Sequence, residues 1–208
     1  MKEIKPWEVI SSEYIIRRPP WMTARQDTLR MPNGRIVPAY YVLEYPEWVN
    51  IIAITKAGEF ILVRQYRHAL GIVEYELCAG TMEPDETDPM AAAKRELLEE
   101  TGYAGGEWTP FTTLSANPTS MTNLNHTFIA RGVEKVSGQH LDSTEDISVH
   151  LFTPGQLIDL LKSDEMKQSL MVAPLWRYIA ENHMLRAGGI GAGLSAEIGA
   201  SPFRGRRR

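Results

Sequence analysis

Residues 88–102 carry a helix with both ends written into the sequence, and its contents constrain the chain more than any other segment. Asp88 has the short acceptor side chain that caps a first turn, Pro89 suits the first helical position, and Gly102 suits the residue just past the end. Between them, Met90 to Thr101 consists almost wholly of strong helix formers. At about 100° per residue, Glu96, Glu99 and Glu100 fall within an arc of roughly 100°. Leu97 with Met90 forms a second stripe and Leu98 with Ala91 a third, so core contacts on those sides are expected to hold the carboxylates in one direction. Like charges three and four residues apart destabilise a helix by roughly a few tenths of a kcal/mol per pair. That cost makes sense if a cation sits among them; otherwise the stripe is a solvated acidic face. Oxygen-only clusters suit Mg²⁺ or Mn²⁺, which also bridge phosphate oxygens.

Strand formers crowd the chain ahead of this helix. Runs at Tyr40–Tyr45, Val49–Ile54 and Glu59–Arg64 are rich in β-branched and aromatic residues, and Gly58 supplies a turn between the last two. The turn Met31-Pro32-Asn33-Gly34-Arg35 predicts an N-terminal hairpin or small sheet over about residues 7–45. Further strands are predicted at 126–130 and 147–152. Helices are predicted from Pro154 to about Leu161 and from about Gln168 to Asn182. The class is therefore α+β. An N-terminal β-rich segment (1–45) precedes the main domain (46–184), and a flexible, Gly-rich tail (185–208) ends in Arg204-Gly205-Arg206-Arg207-Arg208.

A chain of 208 residues suffices for one domain with a full core and a small appendage. A net charge of −4 argues against a protein built to coat nucleic acid or an anionic membrane. The single cysteine, Cys78, rules out an intrachain disulfide and argues against a cysteine-based zinc site. No secretory signal follows Met1, and no run reaches the roughly 18–20 apolar residues of a membrane span. A cytoplasmic enzyme or binding protein is the expectation.

The residues framing the helix add a longer pattern. Gly80 is followed after five residues by Glu86, and after eight more by Arg95-Glu96-Leu97-Leu98-Glu99-Glu100-Thr101-Gly102-Tyr103. This resembles the signature of the Nudix hydrolases, in which the second spacer is seven residues. The additional residue falls near Thr87-Asp88, ahead of the helix, and leaves the Arg-Glu-x-x-Glu-Glu spacing untouched. The resemblance implies an α/β/α sandwich with a mixed sheet and hydrolysis of a diphosphate linkage with Mg²⁺ (or Mn²⁺). It further implies metal ligation by Glu96, Glu99, Glu100 and the carbonyl of Ala79, with Arg95 orienting the carboxylates.

Outside that box, Trp7 to Asp27, the Asn33-Gly34 turn, Leu62 to Arg67 and Glu76 to Gly80 resemble the ADP-ribose pyrophosphatase subgroup. The resemblance implies a nucleoside diphosphate sugar as substrate and a homodimer formed through the N-terminal strands. Nudix hydrolysis of nucleoside triphosphates or dinucleoside polyphosphates, and a non-catalytic ligand sensor, are the alternatives. Arg64, Arg67 and Glu76 are the expected substrate-binding residues. Either arginine can instead pair with Glu76 or Glu44. Trp21, Trp48 and Tyr66 are aromatics that can stack on a base, or serve as core or interface. Within Asp142-Ser143-Thr144-Glu145-Asp146 the resemblance implies a catalytic base, Glu145 first and Asp142 second, alongside Glu99 and Glu100. The Asn- and Thr-rich segment 115–126 departs from the subgroup pattern, and reads either as a ligand loop or as a turn-rich connection.

Overall fold

The computed structural model describes residues 3–187. Three N-terminal strands, β1 (Glu8–Arg18), β2 (Met22–Arg30) and β3 (Ile36–Glu44), form an antiparallel sheet in that order. The predicted turn between β2 and β3 is present: Gly34 takes φ 84° and donates to the Met31 carbonyl at 2.8 Å.

The main sheet is mixed. Its strands are β4 (Trp48–Thr55), β5 (Phe60–Arg67), β6 (Ile72–Glu76), β7 (Cys78–Thr81), β8 (Tyr103–Ala104), β9 (Glu107–Leu114), β10 (Asn125–Lys135) and β11 (Ser148–Phe152). The order runs β11-β5-β4-β10-β8, with β4 and β10 parallel. β4 and β5 pair only at Ala53↔Ile61 and Ile54↔Phe60 before parting. The segment 72–81 crosses between them, β6 following β5 and β7 following β4. That divergence leaves the space in which the site forms.

Alternation along β4 directs its side chains to two cores. Val49, Ile51 and Ala53 join Ala92, Ala93 and Leu97 of helix α1 (Pro89–Thr101). Ile52 and Ile54 join helices α2 (Pro154–Lys162) and α3 (Ser169–Glu181) on the other side, through Leu157, Leu161, Leu175 and Ile179. The result is the α/β/α arrangement. A short α4 (Met184–Ala187) follows and crosses the expected start of the tail; from residue 188 the tail lies outside the described residues. Among the described residues no helix is long and apolar enough to cross a membrane.

The ends of α1 form as read from the sequence. Asp88 Oδ1 accepts from the Met90 N–H at 2.9 Å, and Gly102, at φ 73°, donates to Leu98 O. The expected third stripe differs: Ala91 is exposed and Leu98 half-buried, because the helix rests on β4 and β7 through Ala92, Ala93 and Leu97. β9 was not predicted. Pro110 interrupts it, which an outer strand with a register shift opposite that proline tolerates.

A second detail fixes α3. Pro174 lies inside this helix and has no N–H, so the carbonyl of Leu170, four residues earlier, lacks its helical donor. Asn50 Nδ2, from β4, supplies the missing hydrogen bond at 2.8 Å.

Gly102 and Gly58 both require positive φ, yet their surroundings differ. A Cβ at Gly102 would lie 2.3 Å from the Ser137 carbonyl oxygen, whereas at Gly58 it would meet nothing within 4 Å. Gly58→Ala is expected to cost only the left-handed penalty of about 1–2 kcal/mol. Gly102→Ala should lose clearly more, lowering Tm by roughly twice as many degrees in a thermal melt. Equal losses would show that the backbone clash is relieved.

Candidate active site

Where β4 and β5 part, a cleft of about 620 Å³ opens between β7, the carboxylate face of α1, the 140–145 loop and the start of α3. Glu96, Glu99, Glu100, Ala79, Arg67, Asp142 and Glu145 all border it. Arg95 organises the acidic side. Its Nε and Nη2 bind both oxygens of Glu86 at 2.9 and 3.0 Å, and its Nη1 donates to Glu96 and Glu99, each at 2.9 Å. Nη2 also donates to the Thr81 carbonyl at 3.1 Å. Glu86 therefore meets Arg95 despite the longer spacer, and the arginine beside it holds its carboxyl below the usual range.

Glu100 is buried, with its Oε2 accepting from the Ala79 N–H at 3.2 Å. Burial pushes the carboxyl of Glu96 up to about 7 and that of Glu100 up to about 8. Neighbouring carboxylates, Glu145 among them, push both in the same direction. Gly80 makes this crowding feasible, since a Cβ there would fall 2.0 Å from Glu96 Cδ.

The loop beyond β10 closes on the end of α1. The last carbonyls of a helix lack intrahelical donors. Here His140 N–H donates to Glu99 O at 2.8 Å, and Gln139 Nε2 donates to Glu100 O at 2.7 Å and to Ile147 O at 3.0 Å. Glu145 is thereby tied to the helix that carries the other glutamates. Its own carboxylate accepts from the Asp142 N–H at 2.9 Å.

The two expected arginines separate. Arg67 borders the cleft, held by Glu76, which accepts Nε at 2.7 Å and also Nη2. Glu76 is 1 % exposed, takes a further bond from Gln65 at 3.2 Å, and does not itself border the cleft. Arg64 does not border it either; successive strand residues face opposite ways, and Arg64 lies over the Tyr75 ring at 5.4 Å. Of the aromatics, Trp21 and Trp48 line the cleft and Tyr66 does not.

Segment 115–126 is mainly a connection. Ser120 O accepts from Leu43 N–H at 2.7 Å, Thr122 N–H donates to Leu43 O at 3.1 Å, and Asn123 Nδ2 donates to Pro46 O at 3.0 Å. From this segment only Asn125 reaches the cleft. Asn50, Gln65, His140 and Gln168 also line it and were not singled out in the sequence.

The donor set fits a hard divalent cation: carboxylate and carbonyl oxygens, crowded, buried at Glu100, and only partly neutralised by Arg95. Among the described residues no three His, Cys, Asp or Glu side chains already stand in a finished coordination cluster, and Arg95 holds oxygens of Glu96 and Glu99. Gly80→Ala tests the crowding. The clash is with the far end of a flexible side chain, so the melting temperature should stay near that of the parent. Mn²⁺ affinity, read by calorimetry, should fall by about 10–100-fold as Glu96 is displaced. Unchanged affinity would separate Glu96 from cation binding.

Residues 45–173 match the NUDIX domain, and residues 7–43 match the nucleoside diphosphate sugar hydrolase N-terminal domain. The chain is 30% identical over 141 residues to an ADP-ribose pyrophosphatase of Bacillus subtilis (strain 168), covering 67% of this chain and 75% of that one. It is 30% identical over 142 residues to a GDP-mannose pyrophosphatase of Escherichia coli (strain K12), covering 63% and 71%. A solved structure described as an ADP compounds hydrolase shares the fold, with a TM-score of 0.75 over 90% of this chain and 99% of that one, at 22% identity. With its capped glutamate helix, its α/β/α core and a match over most of its length, the chain belongs to the Nudix family of pyrophosphohydrolases.

Proposed function

We propose that the protein hydrolyses the diphosphate linkage of nucleoside diphosphate sugars such as ADP-ribose, giving a nucleoside monophosphate and a sugar phosphate, with Mg²⁺ (or Mn²⁺) as its metal. The observation that carries this reading is the convergence of the α1 glutamates, Glu145 and Arg67 on one cleft of about 620 Å³. The N-terminal module and the names of the two pyrophosphatase relatives support the same substrate class.

Glu96, Glu99 and Glu100, with the carbonyl of Ala79, would hold the metal. A divalent cation bound there supplies charge neutralisation at the diphosphate and a more acidic water. Arg67, held in place by Glu76 and Gln65, presents its remaining donors to phosphate oxygens. Glu145 takes the proton of the attacking water, with Asp142 as the second candidate. Both sit on the loop that Gln139 and His140 fasten to α1. Arg95 acts through Glu96 and Glu99, fixing their direction. Trp21, exposed at the cleft, offers a face to the nucleobase.

Product analysis over a panel of nucleoside diphosphate sugars, triphosphates and dinucleoside polyphosphates with Mg²⁺ tests the reading. ADP-ribose and related diphosphate sugars should be cleaved, and Glu100→Gln should lower kcat by at least on the order of 100-fold. Turnover of triphosphates with the diphosphate sugars untouched would overturn the substrate assignment. Absence of any metal-dependent turnover would favour a ligand sensor.

A homodimer built on the N-terminal sheet fits the same reading. All 11 residues of β1 are exposed, including the apolar Val9, Ile10, Tyr14, Ile15 and Ile16. Apolar surface of that extent asks for a partner. Light scattering should return twice the chain mass of 23.5 kDa, and Ile10→Asp with Ile15→Asp should return the single mass. A monomeric parent at micromolar concentration would refute the dimer.

A further inference from the structure

The cleft has a half that the glutamates do not occupy. β4 turns Trp48 and Asn50 away from α1, toward α3, and Asn125 of β10 lies on the same side. These three and Gln168, at the start of α3, all border the cleft and are all neutral. Asn50 is 1 % exposed, and its Oδ1 has no hydrogen-bond partner in the protein. Its orientation is not free: Nδ2 is committed to the Leu170 carbonyl that Pro174 leaves without a donor, and a flipped amide would set oxygen against oxygen. A buried acceptor at the cleft, with its donor missing, points to a ligand that brings one.

Resting on the hydrolase reading above, we propose that this neutral half of the cleft holds the sugar ring of the substrate, with Asn50 Oδ1 accepting a hydrogen bond from one sugar hydroxyl. Asn50 Nδ2 gives one N–H to Leu170 O, which fixes the amide with Oδ1 as the atom left open, and a sugar hydroxyl is a donor that an open acceptor can take. A single fixed acceptor matches a single hydroxyl. The Trp48 ring, two residues along the same strand face, gives the C–H face of a sugar an apolar surface. The N-terminus of the 13-residue α3 adds the positive end of its dipole.

The test uses ADP-sugars with each sugar hydroxyl removed in turn, and two variants. Pro174→Ala restores a backbone donor to Leu170 O, so that Asn50→Ala can be added without orphaning that carbonyl. In the unaltered protein and in Pro174→Ala alike, one deoxy substrate should lose about tenfold in kcat/KM against its parent, as expected for one neutral hydrogen bond. Adding Asn50→Ala should abolish that difference. Equal turnover of every deoxy substrate, or a tenfold loss that persists without Asn50, would overturn the assignment. The β-methyl ester of ADP, which has no sugar at that end, checks the hydrolysis separately. Failure of the unaltered protein to cleave it and every ADP-sugar would sink the hydrolase reading itself.

Discussion

One guanidinium holds the acidic site together. Arg95 binds Glu86 with two nitrogens, Glu96 and Glu99 with a third contact point, and the Thr81 carbonyl behind them. Without it, carboxylates one turn apart would repel one another into solvent, and the 81–86 loop would lose its hold on α1. The planar, five-donor geometry matters here: a lysine carries one compact charge and cannot reach this set of acceptors at once. Because the side chain of Arg95 reaches Glu86, the length of the spacer between them can vary by a residue without disturbing the site.

The same helix serves as reference for the second set of acids. Its C-terminal carbonyls, left open by helix geometry, are closed by Gly102, His140 and Gln139. Gln139 also reaches Ile147, so both ends of the Asp142–Glu145 turn are tied to one rigid element. Ala92, Ala93 and Leu97 seat that element on the sheet. Rigidity therefore passes from the core to α1, and from α1 to its own glutamates and to Asp142 and Glu145.

Much of this was legible because it is local. Asp88, Pro89 and Gly102 determine α1 by backbone rules that need no partner, and the spacing of Glu96, Glu99 and Glu100 follows from the helix itself. The choice between Arg64 and Arg67 was not legible. It depends on which face of β5 meets the cleft, and the run Leu62 to Arg67 has no polar alternation to reveal the phase until its end. The role of segment 115–126 depends on Leu43 and Pro46, nearly eighty residues earlier, and no periodicity in the segment announces those partners. Gln139 and His140 cap a helix from a loop across β8, β9 and β10, which is equally invisible along the chain.

Asn50 and Pro174 show what kind of signal was present and unread. Each is an anomaly alone: an amide inside the apolar strand Val49-Asn50-Ile51-Ile52, and a proline inside the helical run Leu170 to Ile179. Each carries a cost that local structure cannot cover, a buried polar group in one case and an orphaned carbonyl in the other. Their costs cancel only if strand and helix are neighbours, which the structure shows them to be. Two local misfits with complementary hydrogen-bonding needs thus amount to a long-range contact. The residue of the cancellation is Asn50 Oδ1, the one atom of the pair still without a partner, on a side chain that borders the cleft.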